Sequence, residues 1–176
     1  MKITDTSDLW WKTAVVYCLD VETFLDWGGD GTGDLAGLVQ RIDHLAEIGH
    51  TRIAMISGMP GLSTTDERVE GFHRGAVRQG ITLTSGSVVS GQGEDLASQE
   101  AMFQLMRAAR PPTALVMGNN RATIGAMRAA RKLGIEVCTE LCRKLLDHGV
   151  AGIHFYCLNR LASVTEIVKN LGLAKG

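Results

Sequence analysis

An alternation constrains this chain more than any other feature: short apolar runs rich in β-branched residues take turns with longer stretches of helical periodicity. The first run, "TAVVYCLDV" (13–21), is continuously apolar, as a strand buried on both faces should be. After a glycine-rich turn, "DLAGLVQRIDHLAEIG" places Leu35, Leu38, Val39, Ile42, Leu45 and Ile48 on one helical face, with Asp34 as N-cap and Gly49 as stop. The unit then recurs. "RIAMISG" reads as strand, followed by the helix "STTDERVEGFHRGAVRQG", opened by Ser63 or Thr64 with Glu67 as capping-box partner. "GSVVSG" precedes the helix "EDLASQEAMFQLMRAA", which Pro111 and Pro112 end. "TALVMGNN" leads into "RATIGAMRAARKLG". Past Gly134, "IEV" is either a short strand or a joint before the helix "TELCRKLLDHG". "AGIHFYCLN" reads as a last strand and "LASVTEIVKNLG" as a closing helix.

Strict β-α alternation implies a parallel sheet with right-handed crossovers and helices on both faces. Five strands, six with "IEV", are too few for an eight-stranded barrel. The expected fold is therefore α/β, a three-layer open doubly wound sheet of flavodoxin-like or Rossmann-like type, in one domain over 1–176. Its ligand sites belong at the carboxyl ends of the strands. There the sequence offers Asp20 with the aspartate loop, Ser57-Gly58, Gly91, Asn119-Asn120 and Asn159-Arg160.

With 176 residues, 45% of them hydrophobic, the chain can bury a core without a metal or disulfide staple. A net charge of -1 and the lack of like-charge runs argue against nucleic acid as a partner. No apolar stretch approaches the length of a membrane span, and "MKITDTSDLWW" has no signal-peptide core, so a cytoplasmic protein is expected. Cys18, Cys138, Cys142 and Cys157 fit no disulfide framework; Cys138 and Cys142 lie one helical turn apart, without a third ligand for zinc.

Three stretches resemble three different families. "LWWKTAVVYCLDVETFLDWGGDGTGDLAGLVQRIDHLAEIG" (about 9–48) resembles the first β-α unit of α-amylase-superfamily enzymes of the trehalose synthase and oligo-glucosidase type, through W-W-K and D-x-x-x-D-G-x-G-D. That resemblance implies a calcium-holding aspartate loop, and a catalytic centre on later strands that have no counterpart here. Residues from about 49 to 137 resemble the C-terminal subdomain of lactose-repressor-type ligand-binding modules. The motifs are G-H-x-R-I-A-x-I-S-G, S-T-x-x-x-R-x-x-G-F and N-N-R-x-T-I-G-A. This implies that Arg68 and Asn119, with Asn120 adjacent, line an effector cleft for sugar or purine groups, and that operator binding, which needs a helix-turn-helix, is not to be expected. "CTELCRKLLDHGVAGIHFYCLNRLASVTEIVKNLGL" (138–173) resembles the last β-α unit of methylenetetrahydrofolate reductase, through His154, Phe155, Tyr156, Asn159 and Arg160. A lone terminal unit implies no FAD site.

Segments 1–48, 49–137 and 138–176 thus suggest a recombined or artificial chimera cut between β-α units, with no evolved catalysis and no cofactor. The alternative is a residual module binding a sugar, purine or anion weakly through Arg68, Asn119 and Asn120. For the aspartate loop, Asp26, Asp30, the Thr32 carbonyl and Asp34 match calcium-loop ligands. Gly28 and Gly37, however, replace two oxygen donors, leaving weak calcium binding or a plain glycine turn. Asn119, Asn120 and Arg121 open a helix directly after a strand, as an anion site or an ordinary cap. His154, inside an apolar run, reads as a core histidine. "SGMPGLST" lacks the phosphate-loop lysine, and no catalytic triad or carboxylate pair stands out. Because each segment lacks its former neighbours, Trp10, Trp11, Trp27, Phe155 and Leu161 are expected to be exposed and to drive homodimer formation.

Overall fold

The computed structural model describes residues 15–18, 35–156 and 161–173, with side chains from Val39 onward in those ranges. The chain divides into two compact units, Met1–Met127 and Arg128–Gly176. The first holds β1 (Val15–Cys18), α1 (Leu35–Glu47), β2 (Ile53–Ser57), α2 (Ser63–Arg78), β3 (Val88–Ser90), α3 (Asp95–Met106), β4 (Ala114–Met117) and the opening turns of α4 (Asn120–Asp147). The remainder of α4 and α5 (Leu161–Asn170) belong to the second.

Among the described residues the sheet has four strands in the order β1-β4-β2-β3, every neighbour parallel. The α/β, open parallel class read from the sequence is therefore the class observed. Ala114 sits in register with both Val15 and Ile53, so β4 and β2 form the centre. All of Ile53–Ser57 and Ala114–Met117 are buried, which accounts for the unbroken apolar runs.

Alternate side chains go to opposite faces. Ile53, Met55, Ala114 and Val116 pack with Ile42 and Leu45 of α1 and Phe72 and Ala76 of α2. Ala54, Ile56, Leu115 and Met117 point to the other face, where α3 packs on β2 and β3 and buries Ser98, Ala101, Met102 and Leu105. Burying one large apolar side chain contributes about 1.5–3 kcal/mol, so these two layers dominate the stability of the unit. One residue expected in the first layer is elsewhere: Ile48, beyond the last turn of α1, is half exposed.

Helix ends follow local chemistry only in part. Gly49 closes α1 as read: at φ +97° it lets its own N–H reach the Ala46 carbonyl and that of His50 the Leu45 carbonyl, both at 2.9 Å. The start of α2 corrects the capping-box reading. Leu62 is the N-cap and gives no side-chain bond, leaving Ser63 inside the first turn.

In the second unit the reading of a strand or joint after Gly134 is wrong. α4 runs unbroken from Asn120 to Asp147. Ile135, Cys138 and Cys142 recur at helical spacing, and Ile135 and Cys142 are buried with Ile167 of α5. Their burial outweighs the cost of one helical glycine, about 1 kcal/mol. Residues 151–156, read as a strand, carry no ladder; Ile153 and Phe155 lean half-buried on that small core while His154 and Tyr156 are exposed. His154 is thus not a core histidine, and Phe155 is less exposed than expected. Leu161 is exposed, as expected. Among the described residues no helix is long and apolar enough to cross a membrane.

Candidate functional site

The helices that follow the two central strands leave toward opposite faces of the sheet: α2 packs with α1, and the start of α4 lies against α3. The carboxyl ends of β2 and β4 therefore bound a crevice, the position where open α/β sheets take ligands. Glycines make it narrow. A Cβ on Gly118 would lie 3.2 Å from the Ile56 carbonyl oxygen and the Ser57 Cα, and one on Gly58 would lie 2.7 Å from Thr65 Oγ1 and 3.2 Å from Asn119 Nδ2. Only bare backbone allows the strand ends to approach this closely.

The residues singled out by sequence meet here. Arg68, half-buried on α2, donates from Nη1 to the Gly118 carbonyl at 3.0 Å, which ties α2 to the end of β4. A guanidinium has five N–H donors, and this bond uses one of them. Asn119 follows Gly118 and caps α4: its Oδ1 accepts from the Ala122 N–H at 2.7 Å, and its carbonyl accepts from Thr123 N at 3.1 Å and Thr123 Oγ1 at 3.2 Å. Its Nδ2 is left facing Gly58. Asn120, exposed, is the first residue of α4, where helical N–H groups lack intrahelical acceptors. The crevice is rich in donors.

Arg121 does not join them. Its guanidinium bonds Asp95 at 2.9 Å and Glu94 at 2.6 Å, at the start of α3, and these carboxylates hold its pKa above the ordinary arginine value. The anion-receiving role read for Arg121 is thus taken by protein carboxylates. Sequence reasoning passed over Thr65, 6% exposed and beside Gly58, although a threonine three residues before Arg68 on an amphipathic helix was the available signal. Asp26, Asp30, Thr32 and Asp34, like Trp10, Trp11, Trp27, Asp20, Asn159 and Arg160, lie outside the described residues. Among the described residues no three His, Cys, Asp or Glu side chains group as a metal site. Cys142, buried beside Cys138, has its thiol pKa pushed up first by burial and then by that neighbour, which suits a packed thiol more than a nucleophile.

Residues 42–142 match the periplasmic binding protein-like domain. The "Probable HTH-type transcriptional repressor ExuR" of Bacillus subtilis is 26% identical over 142 residues, 81% of this chain and 42% of the repressor. A regulatory protein of the LacI family from Chloroflexus aggregans superposes with a TM-score of 0.54 at 27% identity, covering 57% of this chain and 36% of that one. The chain thus spans well under half the length of these relatives. Two shorter matches are of other kinds. The "Probable methylenetetrahydrofolate reductase (NADPH)" of Caenorhabditis elegans is 54% identical over 48 residues, 27% of this chain and 7% of the enzyme. The glucan 1,6-alpha-glucosidase of Streptococcus pneumoniae is 48% identical over 44 residues, 25% of this chain and 8% of the enzyme.

Proposed function

Since the chain belongs to the periplasmic binding protein-like domain family, we propose that it acts as a small-molecule binding module, one wall of a repressor-type effector site, taking a sugar, purine or anion in the β2–β4 crevice. The observation that carries this reading is Arg68, held to the Gly118 carbonyl at the carboxyl end of β4 through one of its five N–H donors. Asn119 supplies Nδ2, and Asn120 the open N–H groups at the head of α4. A single wall buries less of a ligand than a two-sided cleft, so affinity is modest. A homodimer fits a module of this kind and is part of the proposal.

The second reading is a recombined chain, made of the segments 1–48, 49–137 and 138–176 and without evolved catalysis. It is favoured by the two short enzyme matches, each about the length of a flanking segment. The two readings are compatible in origin and differ in whether the crevice works.

Calorimetric titration with a panel of neutral sugars, purines and inorganic phosphate tests this. Saturable binding that Arg68→Ala abolishes is the expected result. No heat from any ligand at millimolar concentration would leave the recombined, purely structural reading in its place. Light scattering tests the dimer, and a strict monomer at high concentration counts against it.

A further inference from the structure

We infer that the opposite edge of the sheet, where the strands begin, carries a second ligand site: a cleft for an organic oxyanion, a carboxylate or phosphate monoester on an apolar body. The cleft has a volume of about 600 Å³. It is bounded by the start of β2, the end of α2 with the loop into β3, and the end of α3 with the loop into β4. That volume lies within the usual range for small-molecule sites. Its floor is apolar and buried, made by Ile53, Ile81, Leu105 and Pro112. At its rim stand Arg52 and Arg110, both exposed, and none of the described lining residues is acidic.

Two exposed arginines alone would be solvated cations. What marks these is their convergence above an apolar cavity whose wall is already built. Arg52 donates from Nε to the Pro111 carbonyl at 3.0 Å, so its guanidinium is held beside the residue that follows Arg110. The bond leaves the terminal Nη pair, a fork that matches two oxygens of one carboxylate or phosphate. Arg110 has no hydrogen-bond or ion-pair partner among the described residues. On the far wall Ser87 fixes the loop before β3: its Oγ accepts from the Thr84 N–H at 2.9 Å, and its carbonyl accepts from Met55 N of β2 at 2.7 Å. A wall set in advance spares a ligand the cost of ordering it. Gln79, also lining, reaches Asp43 at 2.6 Å, but that carboxylate is paired with Arg78 at 3.4 Å. The helices α2 and α3 end at this edge, and their last carbonyls oppose an anion with about half a charge each, which two full guanidinium charges outweigh. A cation finds no carboxylate in the lining, and a neutral polyol would cover the apolar floor with hydroxyls while leaving the guanidinium charges unmatched.

This inference does not depend on the Arg68 crevice, which lies at the other end of the same strands. The test is titration of the full chain near neutral pH with benzoate, phenyl phosphate, benzyl alcohol and inorganic phosphate, followed by backbone amide shifts in nuclear magnetic resonance. Benzoate and phenyl phosphate should give saturable shifts at residues 79–87 and 105–112, and the tighter of the two identifies the preferred headgroup. Benzyl alcohol, which lacks the charge, and inorganic phosphate, which lacks the apolar body, should bind there roughly tenfold more weakly or worse. Arg110→Gln, on an exposed side chain, should weaken both aromatic anions by roughly tenfold and leave the unfolding midpoint unchanged, whereas Arg68→Ala should leave their binding at this edge intact. No binding of either aromatic anion at millimolar concentration, shifts confined to Gly58 and residues 118–120, full affinity in Arg110→Gln, or benzyl alcohol or inorganic phosphate binding as well as the aromatic anions would each overturn the inference. Loss of ligand binding at residues 118–120 with the shifts at 105–112 intact would instead tell against the crevice.

Discussion

Two glycines in the same helix should respond to alanine in opposite directions. Gly125, in the second turn of α4, lies against the start of α3: a Cβ there would sit 2.3 Å from the Asp95 carbonyl oxygen, 2.7 Å from the Ser98 Cβ and 2.9 Å from the Gln99 nitrogen. Two of these three atoms are backbone, so no rotamer change makes room. Restoring an ordinary contact of about 3.4 Å requires α3 and α4 to part by roughly 1 Å, against the Arg121 bonds to Asp95 and Glu94 that hold them. Overpacking of this kind costs about 1–3 kcal/mol or more, which exceeds the roughly 1 kcal/mol gained from alanine's better helix propensity. Gly134 has nothing within 4 Å of the same position and lies in the middle of the helix. Gly134→Ala therefore keeps the propensity gain alone, about 0.8–1 kcal/mol, worth some 2–4 °C in Tm for a chain of this size. Urea and thermal denaturation followed by far-ultraviolet circular dichroism measure both. A destabilising Gly134→Ala would mean that the helix breaks there after all, and a neutral Gly125→Ala would mean that α3 and α4 are not in close contact.

Phe72→Ala removes a side chain with no exposure from the layer between α1, α2 and the sheet, and should cost about 3–5 kcal/mol of unfolding free energy, read from the shift in urea midpoint. Asn119→Ala should cost about 1 kcal/mol through the lost cap on Ala122, and Asn119→Asp should keep stability while disfavouring anions, a separation of cap from ligand role readable by denaturation and titration together. His50, bonded through Nδ1 to Thr113 Oγ1 at 3.0 Å, has its pKa lowered by burial. Between the folded value and the unfolded 6.5 the unfolded chain binds more protons, so stability should fall as pH drops through that window and level off below it. His50→Gln should flatten this part of the pH profile; an unchanged slope would show that other groups cause it.

The sheet's central strands were legible because burial on both faces writes itself locally, as in "IAMIS" and "ALVM". Gly49 was legible for a similar reason, since one residue decides the backbone there. Gly134 misled because a glycine next to β-branched residues is a local break signal, whereas the burial of Ile135 and Cys142 against Ile167 is a tertiary fact. The run 151–156 misled in the converse way. Its alternation is real, with Ile153 and Phe155 inward, but a strand also needs a partner's backbone, which no local pattern supplies. In the candidate site, Arg68 and Asn119 could be named from motif resemblance. Their joining through the Gly118 carbonyl depends on β4 inserting between β1 and β2, an order that sequence alternation leaves open.

That insertion sets a timetable. Among the described residues β1 pairs only with β4, and the paired residues Val15 and Ala114 are separated by roughly a hundred residues of chain. At about 5–20 residues per second, β1 waits on the order of 5–20 s after its own synthesis before this partner is made. For that interval "VVYC" is an apolar edge without a ladder, and the cell must shield it before the fold can.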